Sequence, residues 1–216
     1  MDQFIHELAN RIKVQDKKLI IGVSGHGAAG KTTFTNRLIN LLDKSKINYI
    51  NTDPYIIDSS VRNHATIDYT YQKENHRYKI TACHPSAHHL PSLERDIRMV
   101  REGLDFCTID THYMKSELIS SRKNITVVEG MSVAFVDPAL FDLTVYFYTD
   151  GETELKRRSI RDIEERGRTI SDLRRSHEER RIQYEVFMHP YSQNFDVIFK
   201  MVDQQVILEK GDFSSA

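Results

Sequence analysis

Two glycines, Gly25 and Gly30, bracket four residues ahead of Lys31 and Thr32 in the stretch GVSGHGAAGKTTFTNRL, Gly22 to Leu38. Upstream, LIIGVS is a short apolar run rich in β-branched residues, the pattern of a strand buried on both faces. Downstream, Phe34, Leu38, Ile39, Leu41 and Leu42 mark one face of a helix expected to run to about Ser45. Strand, glycine loop and helix in that order leave few architectures open. The glycines let the backbone wrap an anion so that successive N–H groups point at phosphate oxygens, and the helix presents its positive end to the same anion.

This is the P-loop pattern Gly-x-x-x-x-Gly-Lys-Thr in the strand-to-helix context that confirms it. The expected nucleotide-binding set is Gly25, His26, Gly27, Ala28, Ala29, Gly30, Lys31, Thr32 and Thr33. Lys31 reaches the β and γ phosphates, and Thr32 places its hydroxyl on Mg²⁺. Side chains at the position of His26 usually point outward, so its imidazole is expected to be structural or solvent-facing.

Further strands are expected at 47 to 53, 125 to 130, 143 to 150 and 195 to 201, with helical patterns between most of them. Such alternation predicts a parallel sheet covered by helices. Phe4, Ile5, Leu8, Ala9 and Ile12 have helical spacing and place an amphipathic packing helix over 2 to 14. Another helix is expected over 92 to 102, started by Ser92 and stopped by Gly103, and two charged helices at 152 to 166 and 171 to 188, broken around Gly167. The whole chain of 216 residues suits a single domain, with a lid at about 150 to 170 and a fraying tail over 211 to 216.

Asp53 closes the INYINTD strand and Glu129 follows the apolar ITVV, so both carboxylates should emerge at the C-terminal edge of the sheet, where open α/β folds bind ligands. One can serve Mg²⁺ and the other the acceptor hydroxyl. Neither the guanine-reading Asn-Lys-x-Asp motif nor a Leu-Ser-Gly-Gly signature occurs, which leaves a small-molecule kinase. From Glu152 to Thr169, ETELKRRSIRDIEERGRT concentrates Arg157, Arg158, Arg161, Arg166 and Arg168 just past a strand edge. Pairs such as Glu154 with Arg158 would suit a solvated helix. Arg166 and Arg168 flank a glycine without such partners, and phosphoryl transfer needs cations that close over the phosphates, so a lid is the preferred reading.

SGHGAAGKTT, NTDPY, VVEG and RRSIRDIEERGR together resemble the phosphate loop, strand-end Asp motif, second carboxylate motif and lid of the uridine kinase and phosphoribulokinase-like P-loop kinases, in matching order over roughly residues 18 to 201. The resemblance implies a doubly wound, NMP-kinase-like α/β fold with an Arg-rich helical lid, transferring the γ-phosphate of ATP with Mg²⁺ to a small-molecule alcohol, commonly a nucleoside 5′-hydroxyl. By position it makes Asp53 the catalytic Asp and Glu129, with Thr32, the Mg²⁺-associated group. Arg158, Arg161 and Arg166 become the phosphate-clamping arginines, and the resemblance leaves room for a homo-oligomer. Uridine kinases carry His-Pro-Asp-Ala-Phe-Asp where this chain has HPSAHH, so Ser86, His88 and His89 alter the ribose grip. The expected acceptor pocket comprises Tyr55, His84, His88, His89, His112 and Arg168. A neutral imidazole can donate or accept, whereas a carboxylate only accepts. A regulatory ATP-binding protein of the same fold is the alternative reading.

Other patterns are weaker. The histidines and Cys83 could suggest zinc, yet Pro85 and Pro91 break the helix that their spacing would need. Tyr69, Tyr71 and Tyr78 with nearby cations could stack on single-stranded bases, but beside an enzyme cleft they fit a substrate-covering loop. The net charge of −1 gives no overall basic bias towards nucleic acid. With two cysteines and no apolar leader or membrane stretch, the expected setting is the cytoplasm, with neither membrane nor nucleic acid as partner.

Overall fold

The computed structural model describes residues 1–14, 17–166, 170–203 and 205–211, the side chains of 161–175 excepted. In chain order the elements are α1 (Asp2–Val14), β1 (Leu19–Gly25), α2 (Lys31–Leu41), β2 (Ile47–Asn51), α3 (Ser59–Arg62), β3 (Thr66–Tyr71), β4 (Glu74–Lys79) and α4 (Leu90–Glu102). There follow β5 (Phe106–Cys107), β6 (Leu118–Ile119), β7 (Ile125–Glu129), β8 (Leu143–Thr149), α5 (Gly151–Arg166), α6 (Ile170–Gln183), β9 (Val197–Val202) and β10 (Gln205–Lys210). The main sheet has the order β10-β9-β8-β1-β7-β2, parallel throughout except for the β10 edge.

Alternation along the central strands makes the fold doubly wound. Ile21 and Val23 of β1, Val127 of β7, and Val145 and Phe147 of β8 pack with α1 and α2 on one face. Ile20, Val128 and Tyr146, one residue out of phase, pack with Leu93, Ile97 and Val100 of α4 on the other. Each strand is thus apolar on both sides, which is why these segments read as continuous hydrophobic runs. The five apolar positions of α1 are all buried, as their spacing predicts.

Several boundaries differ from expectation. Helix α2 ends at Leu41, and Asp43 instead caps a short 3₁₀ turn by accepting from the Ser45 N–H. Helix α4 starts at Leu90 with His89 at the cap position, so Ser92 lies inside the first turn; Pro91 suits that turn because its missing N–H would have no intrahelical partner. Helix α6 closes at Gln183 and passes into a π-helical turn over Tyr184–Met188. The tyrosine-rich segment expected as a loop is a hairpin, β3–β4, whose turn residues Gln72 and Lys73 have φ of 50° and 70°. Positive φ at both turn positions matches the twist of the paired strands.

Candidate active site

The C-terminal ends of β1, β2 and β7 open onto a cleft of about 1010 Å³ lined by Gly27 to Thr33, Asp53, Glu129 and Arg158. The phosphate loop leaves β1 at Gly25, where φ is 139° and a Cβ would lie 1.8 Å from the Phe147 carbonyl oxygen of β8. Side chains are excluded there by backbone, so glycine is required. Lys31, at the start of α2, is buried, and its Nζ donates to the His26 carbonyl at 3.0 Å, which holds the ammonium along the loop.

Of the two roles expected for His26, the structure shows the structural one and not the solvent-facing one. The imidazole is fully buried, with Nε2 accepting from the Thr149 N–H at 2.8 Å and Nδ1 lying 2.9 Å from the Gly27 carbonyl. An acceptor at Nε2 and a donor at Nδ1 define the neutral ring. Burial is the main cause that lowers its pKa from 6.5 to about 4. Because β1 and β8 pair in register up to Gly25 and Phe147, the residue after Gly25 meets the end of β8, where the Thr149 N–H needs an acceptor.

Thr32 and Glu129 are brought together as the sequence implies: Thr32 Oγ1 donates to Glu129 Oε2 at 3.3 Å. Tyr49, which the sequence reading missed, donates its phenolic hydrogen to the same oxygen at 2.8 Å. Burial and the nearby Glu129 carboxylate both raise the Tyr49 pKa, so the phenol remains a donor. A hydroxyl and a carboxylate form a hard-oxygen set that fits Mg²⁺, which keeps several waters and takes few protein ligands. Asp53 opens a 3₁₀ turn just past β2, its N–H donating to Asn51 Oδ1 at 2.8 Å. The ends of β2 and β7 are tied where the Thr52 N–H donates to the Glu129 carbonyl at 2.8 Å. Gly130 follows with φ of 146°, and a Cβ there would stand 2.0 Å from Thr52 Oγ1, so the close approach of this turn to the end of β2 depends on that glycine.

Cations reach the cleft from two helices. Arg157 and Arg158 of α5 line it, and Arg157 Nη1 donates to the Ala28 carbonyl at 3.3 Å. Arg161 and Arg166 belong to α5, but their side chains lie outside the described residues, as does the whole of Arg168. Arg180, on α6, also lines the cleft. Sequence reading passed over it because α6 is polar all round and offers no face by which to orient it.

The expected acceptor residues divide. Tyr55 and His88 turn inward, which corrects their assignment. Tyr55 is fully buried with its hydroxyl on Asp96. His88 is buried between Ser132 Oγ, 2.8 Å from Nδ1, and the Ala82 carbonyl, 3.0 Å from Nε2, and burial lowers its pKa to about 4. Both brace the segments around the cleft. His84 is half-buried, its ring 4.6 Å from that of Phe187, while His89 and His112 are exposed. The loop carrying His112 reaches the site through its neighbour: the Tyr113 hydroxyl donates to the Asp53 carbonyl at 3.1 Å. The β3–β4 hairpin docks on α6 through Tyr69, whose hydroxyl donates to Glu179 at 2.6 Å.

A phosphate loop opening a helix, paired with two strand-end carboxylates on a doubly wound sheet, defines the class of P-loop phosphotransferases. The chain belongs to the Phosphoribulokinase / Uridine kinase family, whose sequence model matches residues 20–208. It is 30% identical over 166 residues to the uridine kinase of Lactobacillus helveticus, covering 73% of this chain and 74% of that protein. Its identity to the uridine kinase of Ligilactobacillus salivarius is 28% over 203 residues, covering 88% and 87%. Among solved structures, phosphoribulokinase from Rhodobacter spheroides shares the fold with a TM-score of 0.59 at 16% identity, over 93% of this chain and 74% of that one. D-glycerate 3-kinase from Cryptococcus neoformans var. grubii aligns with a TM-score of 0.56 at 11% identity, over 95% and 97%. Family membership makes the chain an ATP-dependent phosphotransferase acting on an alcohol group. No helix among the described residues is long and apolar enough to cross a membrane.

Proposed function

We propose that this kinase transfers the γ-phosphate of ATP to a hydroxyl of a nucleoside or sugar-like acceptor whose pocket departs from that of the uridine kinases. The observation that carries the reading is that Asp53 and Glu129 line the same cleft as Lys31 and Thr32. Asp53 takes the proton of the acceptor hydroxyl as its oxygen bonds to the γ-phosphorus, and the bond to the bridging oxygen breaks with its electron pair leaving on ADP. Lys31 and Arg158 stabilise the charge on the transferring group, with Arg161 and Arg166 as further clamps from the lid. Thr32 and Glu129 would hold Mg²⁺, which when bound neutralises charge on the β and γ oxygens.

The names of the sequence relatives support a nucleoside as the first acceptor to try, and HPSAHH supports a changed grip on it. With His88 committed to the interior, the acceptor side falls to His84, His89, His112 and Arg168. Transfer from radiolabelled ATP to a panel of uridine, cytidine, sugars, sugar phosphates and pantothenate tests the reading. A stoichiometric phosphorylated nucleoside or sugar supports it; product from none of the panel overturns it.

A further inference from the structure

We propose that Arg180 contacts the outermost phosphate of the bound nucleotide and that Glu154 helps to position it. Arg180 comes from α6, outside the segment whose arginines suggest a lid. Its guanidinium hangs over the phosphate loop: a Cβ built on Gly27 would lie 3.1 Å from Arg180 Nη2, and the same nitrogen lies 3.6 Å from Met131 Sδ. Gly27 and Met131 both line the cleft shared by Lys31, Asp53 and Glu129. The terminal nitrogens of Arg180 therefore face the space between the phosphate loop and the strand-end carboxylates, which a phosphoryl group in transit must cross.

Glu154 grips the other end of this guanidinium. Its side chain is 2% exposed, with Oε1 3.7 Å from both Arg180 Nε and Arg158 Nη1. Oε2 faces Arg181 Nη1 at 3.4 Å and His26 Nδ1 at 3.5 Å. One buried carboxylate thus ties α5 and α6 to the phosphate loop, and Arg181 Nη1 also donates to the Thr149 carbonyl at 2.9 Å, next to the N–H that His26 accepts. Burial alone would raise the Glu154 pKa, but the surrounding cations, Arg180 and Arg158 among them, outweigh it and the carboxyl is lowered, so it is ionised. Buried ion pairs seldom stabilise a fold more than apolar packing of the same volume would. Orientation of cleft cations gives this one a function that stability does not.

The proposal rests on the reading that γ-phosphate transfer occurs at this cleft, and its test needs no acceptor. Calorimetric titration of the full chain with AMP-PNP and with ADP, both with Mg²⁺, compares wild type, Arg180→Met, Glu154→Gln and the double variant. Arg180→Met should weaken AMP-PNP about tenfold and leave ADP within about twofold, the loss of one charge-assisted contact to a single phosphate. Glu154→Gln should weaken AMP-PNP about threefold to tenfold, and the double variant should be no weaker than Arg180→Met alone. Equal losses for both nucleotides, unchanged AMP-PNP affinity in Arg180→Met, or multiplicative losses in the double variant would overturn the proposal. If Glu154→Gln does not fold, Glu154→Asp takes its place with the same criteria. Wild type that binds AMP-PNP yet phosphorylates no acceptor would count against the proposed function and not against this assignment.

Discussion

Tyr49 and Glu129 stand on neighbouring parallel strands, and the phenol donates at 2.8 Å to the carboxylate oxygen that also accepts from Thr32. If Glu129 holds Mg²⁺ as proposed, Tyr49 is the partner outside the ligand set that fixes it, and loss of such partners typically weakens metal binding tenfold or more. Tyr49→Phe should therefore raise the Mg²⁺ concentration for half-maximal activity about tenfold, with metal-free nucleotide affinity unchanged. Magnesium titration of the rate checks this.

His26 and His88 are both buried neutral, each with a pKa lowered from 6.5 to about 4 chiefly by burial. The folded state binds fewer protons than the unfolded state between these values, so the stability they contribute is complete above about pH 6.5 and is lost as pH falls towards about 4. Each shift corresponds to about 3 kcal/mol over that window. Urea denaturation at pH 7 and pH 4.5 should show the loss, and His88→Asn should make it smaller. An unchanged pH dependence in His88→Asn would count against a neutral buried ring.

At Gly25 the backbone of β8 occupies the space a side chain would need. Gly25→Ala should destabilise the protein by about 3 kcal/mol or more, since the clash is with a carbonyl that cannot rotate away. Chemical denaturation measures it.

Gln183 is fully buried and fastens the hairpin to α6: its Oε1 accepts from the Thr81 N–H and hydroxyl at 2.9 and 2.8 Å, and its Nε2 donates to the Lys79 carbonyl at 2.9 Å. Gln183→Leu leaves these groups unsatisfied, at a cost of about 2 to 4 kcal/mol. Amide exchange over residues 66 to 81 should accelerate more than exchange in the central strands β1 and β8.

The sheet and the phosphate loop were legible because their signals are local. Apolar runs, the 3.6 period of α1 and the glycine spacing each stand within a few turns of chain. The Thr32–Glu129 pair was also legible, since the glycine loop puts Thr32 at the start of the helix after β1 and the apolar ITVV puts Glu129 at a strand's C-terminal end, both at the sheet edge where such folds bind ligands. Tyr49 was not, because β2 reads as a buried strand whatever its polar atom touches. His26 was missed for a related reason: its acceptor role answers to the Thr149 N–H, 123 residues away, and no local pattern marks that donor. The hairpin was hidden because its inward face along β3 is only Ile67, Tyr69 and Tyr71, two of them tyrosines, and its docking on α6 depends on hydrogen bonds to Gln183 and Glu179 that no local pattern marks.

The most direct test of the account is kcat for phosphoryl transfer from ATP by Asp53→Asn beside wild type, with the best acceptor found. Asparagine keeps the size of the side chain and removes the base, so kcat should fall about a hundredfold, with ATP affinity little changed. A kcat within about twofold of wild type would contradict the role of Asp53 and with it the proposed chemistry of the cleft.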